Sequence, residues 1–188
     1  MRKLILLPLL AFAVACQDTT PLEPSAGDLD SPGVTATFDK MGVVLSAVGS
    51  GHFAVFDEAV NSFAFNALEK ADGTVKGQAT MQIRLYDTFW KLDIDCLAVS
   101  GNVAVVSGVV SYSNTPWVGT GGWFAMEDNG EGGEAEADRI TGFYGTPPPY
   151  LPVPGYCHEV IQDIDAYLEP YPVRWNDVIR GNVQVMGG

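Results

Sequence analysis

Six carboxylates fall within twelve residues in the run Glu127-Asp128-Asn129-Gly130-Glu131-Gly132-Gly133-Glu134-Ala135-Glu136-Ala137-Asp138. Oxygen ligands on a glycine-rich loop suit Ca²⁺, a hard cation that takes six to eight of them. Counted from Glu127, positions 1, 3, 5, 6 and 12 read Glu, Asn, Glu, Gly and Asp, a partial echo of an EF-hand loop. Glu127, Asp128, Asn129, Glu131 and Asp138 are therefore the candidate metal ligands. The pattern departs from that loop at both ends, where Asp is usual first and Glu is usual last, and the flanks read as strands. A solvated hairpin turned by Asp128-Asn129-Gly130 accounts for the same residues without a metal. No cofactor is required by this sequence, and Ca²⁺ is the one candidate ion.

Aromatic residues offer a second chemistry. Trp117 sits in Asn114-Thr115-Pro116-Trp117-Val118-Gly119, Trp123 follows Gly121-Gly122, and Tyr144, Tyr150 and Tyr156 flank a proline-rich stretch. Flat rings beside acids and amides suit stacking on a sugar or a peptide, so Trp117 and Trp123 are candidate ligand-binding residues. Pinning a loop to the core is the structural alternative. Trp90 and Trp175 read as core or rim packing.

Catalytic patterns are sparse. The chain has no Gly-x-Ser-x-Gly elbow. Ser50 and His52 lie near one another in Gly49-Ser50-Gly51-His52, within a strand-like stretch that reads as an edge. With only His52 and His158, a three-histidine zinc site is excluded, and Gly119-Thr120-Gly121-Gly122 lacks the Lys-Ser/Thr of a phosphate loop. A hydrolase built on paired Asp/Glu carboxylates would need two of the 23 acids about 5–10 Å apart in a cleft. No motif marks such a pair, and the catalytic residue list is empty.

Cys16 speaks of address rather than chemistry. Arg2 and Lys3 precede an apolar run from Leu4 to Val14, and Ala15-Cys16 follows. Charge, apolar stretch, small residues: this is the order of a secretory signal peptide. A spanning helix needs about 20 apolar residues, more than this run supplies. Ala13-Val14-Ala15 also fits ordinary cleavage, with Cys16 as a plain thiol. The cysteine directly after a small residue, and the polar linker that begins at once, resemble the lipobox of bacterial lipoproteins. That resemblance implies cleavage of residues 1–15 and a diacylglycerol and palmitate anchor on Cys16. It also implies a protein exported to the envelope, on the periplasmic side or at the cell surface, with the bilayer as partner. Alanine stands at position 13, where the lipobox prefers leucine. The segment 16–33 then carries the anchor and a polar tether with Pro21, Pro24 and Pro32, too poor in apolar surface to fold.

Residues 34–188 suit a single domain. The whole chain carries 23 acids against 10 Lys and Arg, a net charge of −13. Cleavage before Cys16 would remove Arg2 and Lys3 and no acid. So acidic a surface argues against nucleic acid as a partner. Cys96 and Cys157 form an even pair in an exported chain and read as a disulfide, with two buried thiols as the alternative. Such a bridge stabilises by about 3–4 kcal/mol in the chain-entropy account.

The domain must be strand-rich to position these groups. Val75, Gly77, Ala79, Met81, Ile83 and Leu85 alternate with Lys76, Gln78, Thr80, Gln82, Arg84 and Tyr86, the period of a half-buried strand. Asp72-Gly73 marks the turn of a hairpin over 61–70 and 75–86. Leu92, Ile94, Cys96 and Ala98 share one face, read as inward. Val103 to Tyr112 has two apolar faces, so it belongs in mid-sheet or under a cover. Val178 to Met186 alternates as a final strand. Only His158 to Glu169 breaks the period: Val160, Ile161, Ile164, Tyr167 and Leu168 describe one helical face, stopped by Pro170. The expectation is an all-β, mainly antiparallel barrel or sandwich of about 8–10 strands with one short helix near 158–169.

Four blocks occur in order: Ala71-Asp72-Gly73-Thr74-Val75-Lys76-Gly77, Cys96-Leu97-Ala98-Val99-Ser100-Gly101-Asn102, Glu127-Asp128-Asn129-Gly130-Glu131-Gly132 and Arg180-Gly181-Asn182-Val183-Gln184-Val185. Over most of 50–186 the chain resembles a family of uncharacterised exported bacterial β-domain proteins. The resemblance implies a β fold and carries no activity. Together these readings describe a membrane-anchored envelope lipoprotein whose β domain is non-catalytic and binds or supports. The alternatives are an envelope hydrolase or a calcium-stabilised carbohydrate- or peptide-binding module.

Overall fold

The computed structural model describes residues 42–55, 59–132, 135–147, 149–171 and 175–187. Cys16 and the tether lie outside the described residues. The strands are β1 (Val43–Val55), β2 (Ala59–Lys70), β3 (Val75–Ile83), β4 (Thr88–Ser100), β5 (Val103–Ser113), β6 (Gly121–Glu127), β7 (Arg139–Thr141), β8 (Tyr144–Gly145) and β9 (Trp175–Met186). Two short helices, α1 (Tyr156–Val160) and α2 (Ile164–Leu168), lie between β8 and β9.

Neighbouring strands pair antiparallel from β1 through β7, β7 pairs with β9, and β9 returns to β1. The result is a closed, up-and-down barrel of eight strands. β5 occupies one edge of β6, so β7 and β8 share the other, their registers offset by one residue around Gly142-Phe143. Closure pairs β1 to β6 on both sides, which suits a chain rich in long hairpins.

The hairpin turn at Ala71–Thr74 forms as its residues dictate. Gly73 takes φ 77° and its N–H donates to the Lys70 carbonyl at 2.8 Å, while Thr74 N–H donates to Asp72 Oδ1 at 2.9 Å. The Thr74 N–H bond holds the Asp72 carboxyl below its ordinary pKa. The strand beyond is shorter than its alternation suggests. β3 ends at Ile83, and Arg84–Tyr86 is a 3₁₀ turn, because Asn61 Oδ1 captures the Arg84 N–H at 2.9 Å and Asp87 turns left-handed at φ 47°.

Eight strands enclose a space just wide enough for side chains. Phe53, Phe63, Phe65 and Phe124 form a chain of ring contacts through it, with centroids 6.1, 5.9 and 5.5 Å apart. Leu92, Leu97, Val106, Met126 and Ile140 complete the packing, each fully buried.

A second apolar layer lies outside the barrel, beneath the helices. The one-face reading of Leu92, Ile94, Cys96 and Ala98 needs correction here. Ile94 pairs with Gly108 and Cys96 with Ser107, so Asp95 is an extra, unpaired residue. This bulge inverts the alternation. Leu92 and Ile94 stay in the barrel, whereas Cys96 and Ala98 face outward and join Val105, Trp123, Val160 and Leu168 in the second cluster. The two-faced strand 103–112 lies, as its composition requires, under that cover. The single helix expected near 158–169 is two. Asp163 accepts the Ala166 N–H on its carboxylate at 3.2 Å and starts a new helix, breaking the first. The predicted face survives the break: Val160 and Leu168 are buried, with Ile161, Ile164 and Tyr167 packed beside them.

Glycines let the β1 backbone approach its neighbours closely. A Cβ at Gly49 would lie 2.7 Å from the Phe65 ring, one at Gly51 2.3 Å from the Arg180 carbonyl, and one at Gly181 2.1 Å from the Ser50 carbonyl. Gly181 also holds φ 115°. Gly181→Ala should therefore cost about 2–3 kcal/mol in urea unfolding, through left-handed strain plus a backbone collision that the Gly51 partner strand cannot relieve. Gly101→Ala, in an open turn with nothing near its Cβ, should cost less.

Candidate functional site

The acidic loop joins β6 to β7 and lies against the end of β9. β7 pairs with β9 only from Trp175 to Asp177. Beyond that point the loop replaces a strand. Val178 N–H donates to the Asp138 carbonyl at 2.8 Å, Val183 N–H to Asp138 Oδ2 at 2.8 Å, and Val185 N–H to Asp128 Oδ2 at 2.9 Å. The second oxygen of each aspartate holds the loop itself: Asp138 Oδ1 accepts from Asn129 N–H and Asp128 Oδ1 from Gly130 N–H, both at 2.9 Å. Asn102 braces the loop from the β4–β5 turn, through Nδ2 bonds to the Asp128 carbonyl and to Asn129 Oδ1.

The other acids point elsewhere. Glu127 pairs with Arg139, whose guanidinium lies over the Trp175 ring at 5.2 Å, and Glu127 raises the Arg139 pKa by its hydrogen bond. Glu131 Oε1 accepts from Asn182 Nδ2 at 2.7 Å. Glu134 lies outside the described residues. The five candidate calcium ligands are thus brought to one loop, with Asp128 and Asp138 oriented by backbone N–H groups and Glu127 by an arginine. Among the described residues, three His, Cys, Asp or Glu donor atoms converge only at Cys96, Cys157 and His158, and there both cysteines are joined in a disulfide.

Asp138 is buried and accepts two charge-assisted N–H bonds, each of a kind worth about 1.5–3 kcal/mol. Asp138→Asn keeps the shape but sets an amide N–H₂ against one of those donors. Its stability should fall by about 2–3 kcal/mol in denaturant unfolding, whereas exposed Glu136→Gln should stay within about 0.5 kcal/mol of the parent.

The disulfide Cys96–Cys157 fixes α1 to β4, with Cα atoms 5.8 Å apart, and Cys157 N–H donates to Ser107 Oγ at 3.2 Å. Trp123 is 1% exposed, so it anchors the helices instead of facing solvent. Its ring meets Tyr144 at 5.1 Å and stands edge-on to Tyr167 at 6.3 Å. Tyr144 stacks on Tyr171 at 4.0 Å. Trp117 is half-buried against Tyr150 at 5.4 Å. The two candidate tryptophans therefore pack separate loops, and no joint aromatic platform arises from them. A cleft of about 300 Å³ remains between Tyr150, Tyr167 and Tyr171 above Trp123.

Burial pushes the Tyr144 and Tyr156 hydroxyls up to about 12. An unfolded chain releases those protons near pH 10. Below pH 10 both states keep them and these groups add no pH dependence. Between pH 10 and 12 the unfolded chain is the more deprotonated, so stability falls as pH rises through that window. Tyrosinate absorbance in the native protein should show a fraction titrating near 12, and the urea midpoint should drop across the same interval. Tyr144→Phe should flatten that drop.

An open concavity of about 570 Å³ was not foreseen from sequence. It lies on the outer wall of β9, β1, β2 and β3. Strand register places Gln184, Val48, Asn66 and Gln78 side by side in one row. The adjacent row reads Asn182, Ser50, Ala64 and Thr80. No charged residue lines it, in a chain with 23 acids. Acids stand only at its ends, where they hold the amides. Gln78 Nε2 donates to Asp93 at 3.3 Å, and Asn182 and Gln184 donate to Glu131 at 2.7 and 3.5 Å. In sequence these residues are merely the wet positions of four alternating strands.

No family model matches the chain, and neither a curated protein nor a solved structure matches it.

Proposed function

We propose that this chain is an exported bacterial lipoprotein, acylated at Cys16 and held to a membrane by its tether, whose β-barrel binds a ligand without catalysis. The observation that carries the binding role is the division of the barrel's surfaces. Its interior is packed with aromatic and aliphatic side chains, while its outer wall carries an open, uncharged depression lined by amides, hydroxyls and small apolar groups. The acids of greatest density hold the loop to β9, a structural duty. The disulfide suits an oxidising compartment, where such bridges persist. Export, anchor and family rest on the signal-like residues 1–16 and on the resemblance described above.

The anchor is tested in a bacterial host fed labelled palmitate. The parent chain should incorporate label and sediment with membranes. Cys16→Ser should carry no label and should appear in the soluble fraction. Equal sedimentation of the two chains, with no label in either, would overturn the lipoprotein reading.

A further inference from the structure

We propose that the concave wall of β9, β1, β2 and β3 binds an uncharged oligosaccharide. This rests on the reading of the barrel as a binding domain and supplies its ligand class. Three observations converge on it.

First, the wall is neutral where the molecule is not. Net charge is −13, yet the lining is made of amides, hydroxyls and small apolar groups. With no cation in the lining, a phosphate or carboxylate ligand gains no ion pair there and meets acceptor oxygens under a negative field. A ligand with hydroxyls as donors and acceptors carries no such penalty.

Second, the polar groups are oriented. Asp93 and Glu131 take the N–H₂ ends of Gln78, Asn182 and Gln184. Their amide oxygens are left as acceptors, and Asn66 keeps its Nδ2 donor while its Oδ1 accepts from the Gln78 N–H at 3.0 Å. Ser50 and Thr80 add hydroxyls. Amides held by second partners lose little rotamer freedom when a ligand arrives, which lowers the cost of binding. Glu131 and Asp93 are positioning residues in this account.

Third, the centre is apolar. Val48, 42% exposed, and Ala64 sit diagonally in the middle of the two rows, with amides on the outer strands. A pyranose offers the matching surface, with C–H faces at its centre and hydroxyls around its edge. Four strands at about 4.8 Å spacing make rows about 14 Å long, the length of about three sugar units. An extended peptide cannot add a strand within this wall, since β1, β2 and β3 are each paired on both sides.

The test is calorimetric titration of the full-length chain in detergent with three neutral hexasaccharides: cello-, malto- and chitohexaose. A galacturonate hexamer, spermine and a neutral Gly-Ser hexapeptide serve as comparisons. At least one neutral hexasaccharide should bind, and the three comparisons should not. Gln78→Ala and Asn182→Ala, both on the outer surface, should each weaken binding at least tenfold with an unchanged melting temperature. Val48→Asp should abolish it. Glu131→Gln should weaken it less than Asn182→Ala does, because an amide still accepts the Asn182 bond. Saccharide binding that ignores all four substitutions would overturn the location. Binding of spermine, the galacturonate or the peptide, lost in the same variants, would overturn the sugar assignment and keep the binding domain. No heat with any probe at millimolar concentration would overturn the sugar site. The palmitate result stands apart from all of these.

Discussion

The barrel depends on two aspartates that act as a strand. Closing an up-and-down barrel requires its last strand to satisfy two neighbours. β9 has β1 along most of its length, but β7 meets it through only three residues. The N–H groups of Val178, Val183 and Val185 would otherwise face a gap, and buried orphan donors are costly. The Asp138 carbonyl takes the first, and the carboxylates of Asp138 and Asp128 take the other two. A carboxylate can do this where a backbone carbonyl cannot, because it has two oxygens on a short arm. One reaches the strand while its twin accepts from the loop's own N–H. Sheet closure and loop structure are therefore one network, and the density of acids in this segment has a structural cause.

A single extra residue governs the other half of the molecule. Asp95 bulges out of β4, and everything after it changes sides. Cys96 is thereby turned outward, within bonding reach of Cys157, and Ala98 becomes part of the floor beneath the helices. Without the inversion Cys96 would point into the barrel and the excursion between β8 and β9 would lack its covalent tie. The carboxyl of Asp95 is itself raised in pKa by desolvation, a modest cost carried by the bulge.

Much of this was legible in the chain. Period-two alternation located the hairpins, Asp72-Gly73 located a turn, and the two-faced valine strand announced a cover. The cysteine pair was read correctly as a disulfide although the face of Cys96 was not. What escaped has a common cause. The helix break at Asp163 and the early end of β3 at Asn61 each depend on one side chain capturing a backbone N–H, and the bulge at Asp95 on one extra residue in the ladder. Alternation reports the average period and is blind to such local captures. The acidic loop shows the same limit: its composition says nothing of its hold on β9, which depends on where that strand lies, 45 residues from Asp138 to Val183.

The amide wall was invisible for a different reason. Its residues sit on four strands and become neighbours only through register: Ser50 beside Asn182 and Ala64, Asn66 beside Gln78. Nothing in any one strand distinguishes them from ordinary solvated positions. The inward side of the same strands supplies the missing signal. Gly49, Gly51 and Gly77 give up side chains on the core side, and Phe65 packs against the space at Gly49. Each such glycine weakens a strand interior. Here the backbones approach so closely that no Cβ fits at Gly51, Gly77 or Gly181. The same close approach recurs at Gly108 on β5, so tight backbone packing belongs to the barrel as a whole, while the uncharged lining belongs to the wall of β9, β1, β2 and β3 alone and ends where Asp93, Lys91 and Glu131 begin.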